Sequence, residues 1–381
     1  MAIYFDHNAG APLDERVLEA MLPYLREQQG NPSSVHRYGR LAREAIEQAR
    51  AQVADLVQAA PSQVVFTSGG TEANNLAVFG GMGPRPQGHL AISAVEHPSL
   101  REPALSLRAQ GLTVTEIEVD SQGRVTPSTL ESALRPDTRL VSVMWASNET
   151  GVLQDIPTLS EGIRDQGCIF HTDAVQVVGK LPLDFRRSGV HLMSLSAHKM
   201  GGPKGIGALV VDSSLDLAPL LQGGGQEKGR RSGTENVAAI VGFGKAAELA
   251  SAELHHRAQE WSQWREYLEQ ALRQLPEVVI FGEMAERLPN TVFFAVPGIE
   301  GETLLMALDK AGIGVSSGSA CGSGSHQPSH VLLAMGIAPE LAQGAIRVSF
   351  GAGNNWSQID ELVAVLKSQI DQLQRMLLCA Y

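Results

Sequence analysis

Leu192-Met193-Ser194-Leu195-Ser196-Ala197-His198-Lys199-Met200-Gly201-Gly202-Pro203 decides the fold. An apolar run too short for a helix passes into polar residues and a Gly-Gly-Pro turn, which reads as a buried strand ending in a loop. Similar short runs stand on either side: Val64-Val65-Phe66, Leu90-Ala91-Ile92, Leu140-Val141-Ser142-Val143-Met144, Ile169-Phe170 and Gly207-Ala208-Leu209-Val210-Val211. Helical patterns separate most of them, at residues 71–79, 98–109 and 156–165. Strand and helix alternating in this way predict an α/β fold, a mainly parallel sheet with helices on both faces. Residues 212–231 are Gly-rich and aperiodic and read as a loop leaving the sheet. A long helical pattern over 236–275 follows, expected to break or bend near Gly242-Phe243-Gly244. Strands near 278–281, 291–295 and 345–350, with helices between and after, predict a smaller α+β domain. We expect a large domain over 15–255, and a small one built from 1–14 with 256–381.

The 381 residues carry 30 Lys+Arg against 41 Asp+Glu, a net charge of −11 with no basic block, so a nucleic-acid surface is not expected. No apolar run approaches the roughly 18 residues needed to span a bilayer, and the start Met1-Ala2-Ile3-Tyr4-Phe5-Asp6 does not read as a signal peptide. Cys168, Cys321 and Cys379 are too few and too scattered for a disulfide framework or a Cys-x-x-Cys metal site. A cytoplasmic protein without a metal is expected.

Four motifs carry chemistry. Phe66-Thr67-Ser68-Gly69-Gly70-Thr71-Glu72 runs from a strand through a turn into a helix. Free N–H groups there make either an anion site or an ordinary capped helix start. In His171-Thr172-Asp173-Ala174-Val175-Gln176, Asp173 ends a strand, as a helix cap or as a carboxylate facing the crevice where open α/β sheets bind ligands. Lys199 also ends a strand, with Ser196 and His198 just before it. Enclosed, it offers a neutral amine for Schiff-base chemistry; solvated, it is a turn residue like Lys204. Anion site, carboxylate and lysine together match what pyridoxal phosphate requires: a phosphate cup, a partner for the ring nitrogen and a Schiff-base lysine. His97, also beyond a strand, can stack on the ring and handle protons or merely cap a helix, and Asn148 can donate to the phenolic oxygen or the substrate.

The fourth motif, Ser316-Ser317-Gly318-Ser319-Ala320-Cys321-Gly322-Ser323-Gly324-Ser325, sets one thiol among small polar residues. A structural cysteine normally sits in an apolar element. Cys321 therefore reads as a nucleophile, and Cys168 and Cys379 as structural. Arg347, alone among apolar residues in Ala345-Ile346-Arg347-Val348, needs an anion: a substrate carboxylate or an internal ion-pair partner.

The sequence resembles the pyridoxal-phosphate cysteine desulfurases, the nitrogenase-associated and iron–sulfur-assembly type of class-V aminotransferases. The resemblance spans nearly the whole chain, from Asp6-His7-Asn8-Ala9 through Glu96-His97, Asn148-Glu149 and Arg231-Ser232-Gly233-Thr234 to Ser349-Phe350-Gly351. It implies fold type I with a seven-stranded, mainly parallel sheet, and a homodimer that converts L-cysteine to L-alanine and leaves a persulfide on Cys321. Lys199 would hold the cofactor, Asp173 the ring nitrogen and Gln176 the phenolic oxygen, with His97 stacked on the ring. Gly70, Thr71, Ser196 and His198 would form the phosphate cup, and Thr234 would reach the phosphate of the partner subunit. Arg347 and Asn148 would hold the substrate carboxylate. The sulfur acceptor, for iron–sulfur clusters or another sulfur-containing cofactor, stays open. The chain departs from the family pattern at His7, Gly10 and Ala11, where Asn and two Thr are usual, and at Ala352, where Arg is common. An aminotransferase would leave Cys321 unexplained, a selenocysteine lyase would not depend on it, and a non-catalytic copy would have no use for Lys199.

Overall fold

The computed structural model describes residues 3–317 and 327–379. Its strands are Ile3–Tyr4 (β1), Val64–Thr67 (β2), His89–Ser93 (β3), Thr113–Ile117 (β4), Thr138–Ser142 (β5), Ile169–Asp173 (β6), Leu192–Ser196 (β7) and Gly207–Val211 (β8). Val279–Ile280 (β9), Thr291–Ala295 (β10), Ile313–Gly314 (β11), Ser316–Ser317 (β12) and Ala345–Ser349 (β13) follow. Seven of them form one sheet in the order β2-β8-β7-β6-β5-β3-β4. Its pairings are parallel except where β8 meets β2 and β7. β3, β7 and β8 are buried throughout, which is why they read as unbroken apolar runs. β4, Thr-Val-Thr-Glu-Ile at the sheet edge, is only partly buried and has no such run, so sequence reading passes over it. A second sheet, β12-β13-β10-β9, is antiparallel, and β1 pairs with β11.

Side-chain caps set the helix starts. Asp14 caps Glu15–Arg26, His97 caps Pro98–Ala109, and Asn236 caps Val237–Arg273. The last helix corrects the expected break: it runs 37 residues through Gly242 and Gly244. The glycines serve close packing instead. A Cβ on Gly244 would lie 2.6 Å from Ala49 Cα, and one on Gly242 2.7 Å from Met21 Sδ. The first half of the helix, to Ala250, packs into the core of the seven-stranded sheet. Its second half, from Trp261, packs into a separate core with Phe5, Val348 and Phe350. The expected helix over 71–79 starts at Gly70 and contains a π turn at Leu76–Gly80. Within the loop 212–231, Glu227 is buried against Arg50 at 2.7 Å and accepts the Phe66 N–H.

Candidate active site

Parallel strands bring their carboxyl ends to one edge, and the residues that follow them surround a cavity of about 570 Å³. Gly70, Thr71, His97, Asn148, Asp173, Gln176, Ser196, His198, Lys199 and Arg347 all line it. Thr234 does not; it is exposed on the chain's surface. Cys321 lies outside the described residues.

Asp173, the last residue of β6, is buried, and both of its expected roles are visible. Oδ1 accepts the Val175 N–H at 2.9 Å, a turn cap, and Oδ2 accepts Asn74 Nδ2 at 2.7 Å on the cavity wall. His97 is likewise a cap and a wall residue. Its Nδ1 accepts the Ser99 N–H at 3.1 Å, so the neutral ring carries its proton on Nε2. Burial lowers the His97 pKa against the opposing pull of Asp173, which favours that neutral ring. Ser196 Oγ and His198 Nδ1 are 2.8 Å apart. Burial first, then Lys199 and Lys204, push the His198 pKa down to about 4.

Lys199 ends the short turn Ala197–Lys199 and points its Nζ at two carbonyls, Asn8 O at 2.6 Å and Ala9 O at 2.8 Å. Gln176 donates to the same Asn8 carbonyl at 3.0 Å and accepts from Lys180 Nζ at 2.9 Å, so both ends of its amide are engaged within the protein. Arg347, 3% exposed, has the internal ion-pair partner that its place among apolar residues called for. Nη2 meets Asp6 at 2.7 Å and Nη1 donates to Asn148 O at 2.8 Å. Nε is buried without a partner among the described residues. A buried N–H in that state costs about 1–3 kcal/mol unless an acceptor meets it.

Sequence reading gave no role to Asn8, Asn74, Glu96, Glu149 or Lys180. Asn74 holds Asp173. Glu149 is bonded by Ser329, which follows the cysteine-bearing stretch. Glu96 accepts from Ser93 and Met144, its Oε2 has no partner among the described residues, and burial raises its pKa to about 8. The signal for Lys180 was a single cation in the apolar stretch Val177-Val178-Gly179-Lys180-Leu181.

Residues 3–362 match the family Aminotransferase class-V. Cysteine desulfurase IscS of Dictyoglomus turgidum is 42% identical over 98% of this chain and 95% of its own length. Cysteine desulfurase IscS 1 of Archaeoglobus fulgidus is 44% identical over 98% of each. The chain belongs to the cysteine desulfurases of the class-V aminotransferase family. Among solved structures, a NifS-like protein superposes on it with TM-score 0.91 at 36% identity, covering 98% of this chain and all of the other. A NifS-like protein from Rickettsia africae gives 0.87 at 35% identity, covering 97% of this chain and all of the other. The family's cofactor is pyridoxal 5′-phosphate, and the cavity's chemistry fits it. Asp173 is a buried carboxylate that no cation pairs with among the described residues, which suits a protonated ring nitrogen. Gly69, at φ +154°, would meet nothing within 4 Å with an added Cβ, so the helix-start backbone is open beside Gly70 and Thr71.

Proposed function

We infer that this pyridoxal-phosphate-dependent cysteine desulfurase converts L-cysteine to L-alanine, with the sulfur taken by Cys321 as a persulfide and passed to an acceptor thiol. The observation that carries the reading is one cavity walled by Lys199, Asp173 and Arg347. The bound cofactor supplies an electron sink for the substrate α-carbon. Lys199 would hold it through its amine and, once released, would move protons at that carbon. Gly70, Thr71, Ser196 and His198 would bind the phosphate, and neutral His97 would stack on the ring. Gln176, with one Nε2 hydrogen on Asn8 O, would offer the other to the phenolic oxygen. Arg347 and Asn148 orient the substrate carboxylate. The Cys321 thiolate attacks the substrate sulfur: an S–S bond forms, the Cβ–S bond breaks with its electron pair on carbon, and a proton there completes alanine.

We propose a large domain over 15–255 and a small one of 1–14 with 256–381, a reading supported by the separate cores around the large sheet and around Trp264 and Phe350. The enzyme acts as a homodimer, with Thr234 reaching the partner's phosphate. Val35 is 86% and Tyr38 56% exposed, apolar side chains that such an interface would cover. The acceptor serves iron–sulfur clusters or another sulfur-containing cofactor, in a cytoplasm that keeps thiols reduced.

The test is Cys321→Ala. It should keep the cofactor's visible absorbance and still change that absorbance on adding L-cysteine, yet release almost no sulfide or alanine. Turnover at the wild-type rate would overturn the reading. Alanine from L-cysteine and from L-selenocysteine, quantified separately, decides the preferred substrate.

A further inference from the structure

Lys180 is a buried amine that the reaction above leaves without a task. It is 3% exposed, and its Nζ donates to Asn8 Oδ1 at 2.7 Å and Gln176 Oε1 at 2.9 Å. Among the described residues no carboxylate pairs with it; the charges acting on it are those of Lys199 and Arg347. Asn8 is bonded at every polar atom. Its N–H donates to Ser349 Oγ at 3.0 Å, and Nδ2 donates to Thr291 Oγ1 at 2.9 Å and Asn148 O at 3.3 Å. Oδ1 receives Lys180 and Asn290, while the carbonyl receives Lys199 and Gln176.

We propose that Lys180 is a positioning residue for Lys199: it locks the Asn8 carboxamide, whose own residue's carbonyl holds the Lys199 amine, and it sets a second amine close enough to compete for protons. The proposal rests on Lys199 being the lysine that binds the cofactor. Two cationic groups in a low-dielectric interior titrate as a pair, each proton making the next costlier. Burial, then Lys199 and Arg347, hold the Lys180 pKa well below the ordinary lysine value. Other charges surround the pair: Asp173 stands on the wall of the cavity that Lys199 lines and favours a proton there. Arg347 is met by Asp6. His7 is kept neutral, burial first and Lys180 second pushing its pKa to about 4. Across a cavity of about 290 Å³ that Lys180 and Lys199 share stand Asp14, Glu15 and Arg257. Of these, Asp14 is bound by Arg16 and Arg257 by Glu253. A proton held on Lys180 thereby makes one on the Lys199 nitrogen costlier.

The holoenzyme, as wild type, Lys180→Met and Lys180→Arg, is titrated by the visible absorbance of its bound cofactor, which reports the proton on the lysine nitrogen attached to it. Borohydride reduction and peptide mapping locate that attachment separately. Finding it on a lysine other than Lys199 sinks the functional reading, whatever the titration shows. With attachment at Lys199, Lys180→Met should raise the midpoint by about one pH unit, and Lys180→Arg, which fixes a permanent charge there, should not raise it. An unchanged midpoint in Lys180→Met, or equal shifts in both variants, overturns the proposal. If Lys180→Met does not fold, Lys180→Gln, which keeps a donor without the charge, carries the same expectation and the same refutation.

Discussion

Asp173 is held in the cavity wall by two hydrogen bonds, from Val175 N–H and Asn74 Nδ2. Asp173→Asn preserves shape, removes the charge and turns one donor toward another. Transition-state stabilisation by one such preorganised group is worth about 100-fold in kcat or more, and that loss is expected here together with a changed cofactor spectrum. Unchanged kcat and spectrum would show that the ring nitrogen does not need this carboxylate. Arg347→Lys tests the other wall. A lysine cannot reproduce the fork that reaches Asp6 and Asn148 O together while leaving Nε for a substrate oxygen. KM for L-cysteine should rise about tenfold or more at unchanged cofactor content, because the charge-assisted Nε contact to the substrate oxygen is lost. A KM equal to wild type would assign Arg347 to the Asp6 pair alone.

The long helix Val237–Arg273 shows how an element differs from its sequence pattern. Gly242-Phe243-Gly244 reads as a weak point, because glycine costs a helix interior about 1 kcal/mol relative to alanine. The helix stays continuous because both glycines are contact points with other elements. They are not equivalent. A Cβ on Gly244 meets Ala49 backbone at 2.6 Å, whereas on Gly242 the nearest atoms belong to the flexible Met21 side chain. Gly244→Ala should therefore destabilise by about 1–3 kcal/mol in urea unfolding, and Gly242→Ala should cost clearly less, its overlap offset by helix propensity. Equal midpoints for the two would refute the backbone-contact account. The same distinction sets what sequence can show of the site. Asp173, Ser196 and Lys199 stand where apolar strands turn polar, a local signal visible in one stretch of chain. Asn8 and Lys180 meet across 172 positions, and neither has a local pattern that names the other. β4 escaped for the related reason that an edge strand with one wet face carries no apolar run.

Across the whole molecule, buried titratable groups pull stability in opposite directions with pH. His7 and His198 have their pKa values pushed to about 4 and His171 to about 3, with burial the largest cause in each. Below about pH 6.5 the unfolded chain protonates these rings while the folded one does not, so stability falls as the pH drops toward about 4. Glu96 and Glu149 act the other way, raised by burial to about 8 and about 7. Their contribution is complete below the unfolded value of about 4.5 and is lost as pH rises through the folded values. Above pH 6.5 the histidines no longer contribute a slope and the carboxyls pull stability down, Glu96 over the widest range. Lys180, with its pKa lowered, opposes that decline at higher pH, but equally in any Glu96 variant. The informative quantity is thus the stability difference between wild type and Glu96→Gln, measured by urea unfolding at saturating cofactor. From pH 6.5 to pH 8 the wild type should lose about 2 kcal/mol relative to the variant, one proton's linkage over that interval. A difference that stays constant across those pH values would mean that Glu96 is already ionised in its buried site, and that Ser93 and Met144 stabilise a carboxylate there rather than a neutral acid.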